Sequence, residues 1–282
     1  MHENEVLADE TVVRRLLLDQ LPELARLPLT RLPPTGTDNL IYRLGDELSV
    51  RLPRIDWAVE QIALDHAWLP RIAPSLPCAV SEPVAVGGPG HGYPYPWAVH
   101  RWLPGANPER GDHPRLAEDL GAFVVALRQL TDGPPSSRSG PLSTRDTVFR
   151  DSLAMLADEY DVASLAALWE DCLAVPEHTG PQVWRHADLI ATNLLVMGGR
   201  LAAVIDFGPS GLGDPAVDLT PAWATFDGRA REVFRDTAWL DEPAWERARG
   251  WALSVAVIAL AYYRGTSPEI SAQSRRTIEA VR

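Results

Sequence analysis

The stretch WRHADLIATNLLVMGGRLAAVIDFG, residues 184–208, decides how this chain is read. Asp188 and Asn193 stand five residues apart, and Asp206 follows Asn193 by thirteen residues within Ile205-Asp206-Phe207-Gly208. Between them, NLLVM and LAAVID are short apolar runs split by Gly198-Gly199, the pattern of two strands joined by a tight turn. A hairpin of that length returns Asp206 toward the turn that carries Asp188 and Asn193. Asp and Asn are also ordinary turn formers, but a turn former has no need of a second carboxylate brought back to it.

Outward from this segment the chain changes character. Upstream, residues 114–130 carry apolar side chains at helical spacing, TDGPPSSRSGP over 131–141 has the composition of a flexible loop, and residues 145–174 read as one or two helices. Downstream, the last seventy residues read as helical, with GDPAVDLTPAWATF and WERARGWALSVAVIALAYY. The first hundred differ. A helix is expected over 10–21, then strands over Leu27–Leu32, Leu40–Leu44 and Leu48–Leu52. PPTGTDN turns between the first two strands, and Gly45-Asp46 suits a tight hairpin between the others. A helix over 57–72 runs into Pro74 and Pro77, and EPVAVG and YPWAVHRW supply two more strands. The expectation is an α+β fold of two lobes. A small antiparallel sheet lies in 1–100, and a mainly helical lobe in 101–282 carries the turn with Asp188 and Asn193. The connector lies near residues 100–106, and a cleft between lobes is a natural place for a ligand.

Composition narrows the function. The net charge of −12 disfavours nucleic acid and anionic membrane as partners. Cys78 and Cys172 show neither metal-ligand spacing nor a disulfide framework, so a cytoplasmic, reducing setting is expected. The start, MHENEVLADE, lacks the basic and apolar parts of a signal peptide. The apolar run Trp251 to Tyr263 is too short to span a bilayer and reads as a buried helix. All 26 basic residues are arginine. A Walker A loop needs Gly-Lys-Ser/Thr, so that class of nucleotide-binding protein is excluded.

The segment His186-Ala187-Asp188, Leu189 to Thr192, Asn193, then Ile205-Asp206-Phe207-Gly208 resembles the catalytic core of aminoglycoside phosphotransferases and the wider protein-kinase-like superfamily. Gly213-Asp214-Pro215 and Asp218-Leu219 look like the same family, and the likeness extends loosely over residues 25–260. It implies a protein-kinase-like fold and transfer of the γ-phosphate of ATP or GTP to a small hydroxylated acceptor, with Mg2+. Phosphoryl transfer asks the protein chiefly for alignment and charge neutralisation. Asp188 is then the catalytic residue that accepts the hydroxyl proton, and Asn193 and Asp206 offer hard oxygens to the metal. His186 is expected to brace the loop.

In the first lobe the resemblance places Arg51 where relatives carry a lysine against the α- and β-phosphates. Arginine keeps the charge but spreads it over a planar fork. Its acidic partner on the following helix is expected to be Glu60 first and Asp65 second. Thr37 and Asp38, in the turn after Thr35-Gly36, and His100 and Trp102, in WAVHRWLPG, are the further nucleotide-binding candidates. The chain departs from the family at Ala187, usually glycine, and at Ile190, Ala191 and Thr192, often His, Pro and Gly in relatives.

Three functions compete: a kinase of an aminoglycoside or similar antibiotic, a kinase of a macrolide or a choline-like, sugar or homoserine-like metabolite, and a nucleotide-binding protein without turnover. The intact Asp188, Asn193 and Asp206 disfavour the third. Asp151, Glu159, Asp161, Trp223, Asp227 and Trp239 are candidate acceptor-lining residues. A monomer or weak homodimer is expected.

Overall fold

The computed structural model describes residues 5–32, 38–138 and 140–282. The chain divides into two compact units, Met1–Gly105 with Ala203–Gly208, and Ala106–Ala202 with Pro209–Arg282.

The first unit is built on an antiparallel sheet of β1 (Leu29–Arg31), β2 (Asn39–Leu44), β3 (Leu48–Pro53), β5 (Pro83–Gly87) and β6 (Trp97–Arg101), in the order β1-β2-β3-β6-β5. Gly45, at φ +60, closes the β2–β3 hairpin, which pairs Leu44 with Leu48 and Ile41 with Arg51. Side chains alternate along each strand. Leu40, Tyr42 and Leu44, with Val50 and Leu52, enter a core shared with Val13, Leu16 and Leu17 of α1 (Glu10–Gln20). Asp9 caps α1, its Oδ1 accepting from Val12 N at 2.9 Å. Tyr42 donates its buried hydroxyl to Ala8 O at 2.6 Å and ties the segment before α1 to the sheet. The intervening residues, Arg51 among them, face away from that core.

Helix α2 (Trp57–Ile72) buries Ala58, Ile62, Asp65, Leu69 and Ile72, one stripe at helical spacing with a single carboxylate in it. The two-residue strand β4 (Ala79–Val80) pairs in parallel with Ala203 and Val204, the end of β9 (Arg200–Val204). That pairing places Asp206, just beyond β9, in the first unit.

The second unit is mainly helical. It holds α3 (Pro114–Leu127), α4 (Asp146–Ala154), α5 (Val162–Leu173), α6 (Pro221–Ala224), α7 (Gly228–Thr237), α8 (Glu242–Tyr263) and α9 (Pro268–Val281). The apolar run Trp251 to Tyr263 lies in α8, with Trp251, Leu253, Val257 and Leu260 buried. Among the described residues no helix is long and apolar enough to cross a membrane. Cys172 is a buried free thiol. Two short strands, β7 (Val183–Arg185) and β10 (Gly211–Gly213), pair antiparallel, while β8 (Leu194–Met197) precedes β9. The α+β class, with a small antiparallel sheet followed by a helical remainder, is as expected.

One expectation is corrected. The composition of 131–141 suggests a flexible loop, yet Pro134 to Arg138 is pinned to β10. Ser136 N donates to Leu212 O at 3.0 Å, and Leu212 N to Pro134 O at 2.8 Å. Gly211 permits this approach. It sits at φ +140, and a Cβ there would fall 2.7 Å from Pro134 O.

Gly87 presses its backbone against the ring of the fully buried Trp97, whose Nε1 donates to Gly88 O at 3.0 Å. A methyl at Gly87 would overlap that ring. Gly87→Ala is expected to destabilise the protein by about 1–3 kcal/mol, read as a lower urea midpoint; an unchanged midpoint would show that the ring has room to move.

Candidate active site

In the first unit the site is organised by Arg51. Its side chain is 11% exposed, and it faces acceptors on three elements. Nη2 reaches Asp206 Oδ1 at 2.8 Å and Gln61 Oε1 at 3.3 Å, and Nη1 lies 3.6 Å from Asp65 Oδ2. With the Asn39 amide turned so that its oxygen faces Arg51, that oxygen accepts from Nε at 3.1 Å and Nη2 at 3.0 Å. Burial alone would pull the guanidinium pKa down, but Asp206 and Asp65 more than reverse this and hold the charge. Burial pushes the Asp65 carboxyl up to about 7, opposed by Arg51 and reinforced by Asp206.

Arg51 therefore pairs with Asp65 and not with Glu60, the first expectation. Glu60 lies on the exposed side of α2, whereas Asp65 shares the buried stripe with Ile62 and Leu69. Asp206 has φ +63, a conformation uncommon for a residue other than glycine. Left-handed non-glycine residues concentrate at functional sites. Gly208 lies so close to Gln61 that a Cβ would come within 2.6 Å of its amide.

The other nucleotide candidates fall as follows. His100 is buried on β6, and its Nδ1 lies 2.9 Å from Ser81 O. Burial pulls its pKa down to about 4, so the ring is neutral near pH 7. With the Nδ1 proton donated to Ser81, Nε2 is a buried acceptor with no partner among the described residues. Asp38 Oδ2 accepts from Trp57 Nε1 at 3.1 Å, and Asp38 O from Arg54 N at 2.8 Å. Trp102 is partly exposed, with the Arg43 guanidinium 3.9 Å over its ring. Thr37, with Thr35 and Gly36, lies outside the described residues.

In the second unit the turn after β7 holds Asp188 and Asn193. Its backbone is strained at Ala187, φ +64, a conformation that favours glycine. The buried Asp218 holds the turn in place: one carboxylate oxygen accepts from His186 N and the other from Ala187 N, each at 2.7 Å. Burial pushes the Asp218 carboxyl up, while His186 and the two N–H groups oppose. His186 is fully buried, and its Nδ1 accepts from Asp188 N at 3.3 Å, so it braces the loop. Asn193 Nδ2 donates to Asp188 Oδ2 at 3.0 Å and to Asp188 O at 2.9 Å. The NH2 group of the buried Asn193 is thereby committed to Asp188. Asn107 supports the turn from beneath, donating to Thr192 O at 2.9 Å and Leu194 O at 3.0 Å.

Sequence reasoning missed Arg138, whose Nη1 donates to Asp188 Oδ1 at 2.8 Å and to Ala187 O at 2.7 Å. No local signal marks it. It also ranked Asp65 second, although the stripe of α2 singles that residue out. Most of the proposed acceptor-lining carboxylates are engaged elsewhere. Arg110 Nε reaches both oxygens of Asp227, at 3.0 and 3.1 Å; Glu159 pairs with Arg275; and Asp161 caps α5. Trp223 is buried against Trp245, Trp239 is exposed, and Asp151 is exposed on α4.

Among the described residues no three His, Cys, Asp or Glu side chains gather as a metal site. The Asn193 amide oxygen and the Asp206 carboxylate are each, taken singly, hard oxygens of the kind magnesium accepts. The partnerless Nε2 of His100 is the kind of buried acceptor that a ligand N–H satisfies.

The model of the Phosphotransferase enzyme family matches residues 30–251. No curated protein matches the chain by sequence. Among solved structures, the GDP complex of wild-type aminoglycoside 2'-phosphotransferase-IIIa is similar at TM-score 0.72 and 14% identity, covering 97% of this chain and 98% of that one. The macrolide 2'-phosphotransferase MphH from Brachybacterium faecium is similar at TM-score 0.63 and 21% identity, covering 94% of this chain and 96% of that one. The ADP-bound aminoglycoside phosphotransferase APH(2'')-Ib is similar at TM-score 0.63 and 15% identity, with 97% and 99% covered. At these identities the likeness is one of fold.

Asp218→Ala removes the acceptor of two buried N–H groups at once. It is expected to cost about 2–6 kcal/mol of stability, at ~1–3 kcal/mol for each orphaned group, seen as a large drop in thermal midpoint. A drop of only a degree or two would mean that the turn at Ala187 holds without it.

Proposed function

Because the chain belongs to the Phosphotransferase enzyme family, we propose that it transfers the γ-phosphate of a nucleoside triphosphate to a hydroxyl of a small antibiotic, an aminoglycoside in the first instance. The observation that carries this reading is the Asp188–Asn193 pair: a carboxylate held 3.0 Å from an amide whose donor end is thereby used up. Such a pair leaves one group to receive a proton and the other to present a neutral oxygen.

In this reading Asp188 accepts the proton of the attacking hydroxyl and aligns its oxygen with the phosphorus. Arg51 binds the α- and β-phosphates, exchanging part of its contact with Asp206 for phosphate oxygens. Asn193 Oδ1 and the Asp206 carboxylate are the oxygens that would hold magnesium. Magnesium, when bound with the nucleotide, supplies neutralisation of the phosphate charge. His100, neutral and lacking a donor to Nε2, suits contact with the nucleotide base. A macrolide acceptor is the second reading. It is supported by the fold likeness to a macrolide 2'-phosphotransferase and by the engagement of Asp227, Glu159 and Asp161, carboxylates that a polyamine sugar would otherwise recruit.

The test is nucleotide consumption by purified protein, with ATP and with GTP. The acceptor panel is kanamycin, gentamicin, erythromycin, choline and homoserine, with and without excess chelator. Asp188→Asn keeps the shape but removes the proton acceptor. It should lower turnover about a hundredfold or more while nucleotide affinity stays near wild type. Near-normal turnover in this variant, or phosphate transfer undiminished by chelator, overturns the assignment.

Arg51→Ala is expected to raise the apparent nucleotide constant at least about tenfold, since a charge-assisted contact is worth roughly 1.5–3 kcal/mol. Arg51→Lys is expected to recover only part of the loss, because a single ammonium cannot serve Asp206, Asp65 and Asn39 together. Lysine equal to wild type would show that the cage around Arg51 is incidental.

A further inference from the structure

No arginine stands between Asp188 and Asn193, which Leu189, Ile190, Ala191 and Thr192 separate. The cation on Asp188 comes from fifty residues upstream. Arg138 Nη1 donates to Asp188 Oδ1 at 2.8 Å and to Ala187 O at 2.7 Å, while Asn193 holds Oδ2 at 3.0 Å. The two carboxylate oxygens are thus gripped from opposite ends, by a charged donor and by a neutral one. The second contact, to Ala187 O, bears on the left-handed residue of the same turn.

The segment that presents Arg138 is held by buried parts. Arg138 N donates to Ser136 Oγ at 3.1 Å, and Ser136 Oγ in turn donates to Pro209 O. The carbonyl of Arg138 accepts from Nη2 of Arg185, which is 1% exposed and lies over Gly213 so closely that a Cβ there would overlap its guanidinium. Together with the pairing of Pro134 and Ser136 to Leu212, these bonds fix where the side chain begins. The side chain itself is 38% exposed. Its Nη1 bonds both go to the catalytic turn.

We propose that Arg138 is a positioning residue for phosphoryl transfer, fixing the Asp188 carboxylate in the orientation that receives the acceptor hydroxyl. The proposal rests on Asp188 being the proton acceptor. Misalignment of a reacting group by about an ångström can cost on the order of a hundredfold in rate. Substrate affinity depends on other contacts.

The experiment measures steady-state constants for wild type, Arg138→Ala, Arg138→Gln, Arg138→Lys, Asp188→Asn and the double variant Asp188→Asn with Arg138→Ala. Magnesium and ATP are present. The acceptor is whichever of kanamycin, gentamicin, erythromycin, choline or homoserine turns over fastest, or water if none does. The expected result is a kcat about 10- to 100-fold lower in Arg138→Ala, with both KM values within about threefold and the thermal midpoint within about 2 °C. Arg138→Lys should recover part of the rate and Arg138→Gln less. In the Asp188→Asn background, loss of Arg138 should cost nothing further, because a residue acting through another is not additive with it. A kcat within twofold of wild type in Arg138→Ala overturns the proposal. So does a change confined to the nucleotide KM, or full additivity in the double variant. Should Arg138→Ala fail to fold, the same comparisons are made with Arg138→Gln. An Asp188→Asn variant of normal activity would overturn the functional reading itself, which separates that failure from failure of Arg138.

Discussion

The second unit depends on one buried carboxylate. Asp218 accepts two backbone N–H groups, from His186 and Ala187, where the chain enters the left-handed conformation before Asp188. A non-glycine residue in that region is costly, and the N–H groups it turns inward would be orphaned without an acceptor. The carboxylate answers both demands. With the turn held there, His186 braces the Asp188 N–H, Asn193 reaches back to Asp188, and Asn107 supports the residues between. Any chemistry at Asp188 inherits its geometry from this arrangement.

A chain without lysine solves its cation problems with forks. Arg51 meets acceptors on β2, α2 and the segment beyond β9. Arg138 bridges a side-chain carboxylate and a backbone carbonyl, and the buried Arg185 joins Arg138 O to Asp214 O. Arg247, also buried, is held by Asp214 and by Pro176 O. A guanidinium is planar and weakly hydrated, so it survives burial when several acceptors surround it. Each of these residues links segments distant in sequence, and each would lose geometry, not only charge, if replaced by an ammonium.

Burial also shapes Asp65 and His100, two of the titratable groups near Arg51. Asp65 faces the same cation as Asp206 but with the longer contact, 3.6 Å against 2.8 Å, and it is the more buried of the two. Its carboxyl is pushed up to about 7 by burial. The contribution of an ionised Asp65 to stability is therefore unfavourable above that pH and relieved as pH falls toward its unfolded value. His100 is driven the other way, to about 4, and stays neutral. The first unit thus keeps a permanent cation beside a neutral imidazole.

What the sequence by itself determined was local. The periodicity of α1, α2, α3 and α8, the hairpin at Gly45, and the pairing of Asp188 with Asn193 were legible because each depends on spacings of a few residues or one hairpin. Asp65 was legible in part, since it alone interrupts the apolar stripe of α2 with a charge. Only the tertiary structure decided which groups meet across long stretches of chain. Arg51 lies 155 positions from Asp206, Arg138 fifty from Asp188, and Asp218 about thirty from the N–H groups it accepts. No periodicity encodes such pairs. They exist because folding brings buried donors and acceptors together that would otherwise go unsatisfied, and that demand is felt only once the core has closed. The same reason turned a Pro- and Ser-rich stretch, flexible by composition, into the fixed support of Arg138.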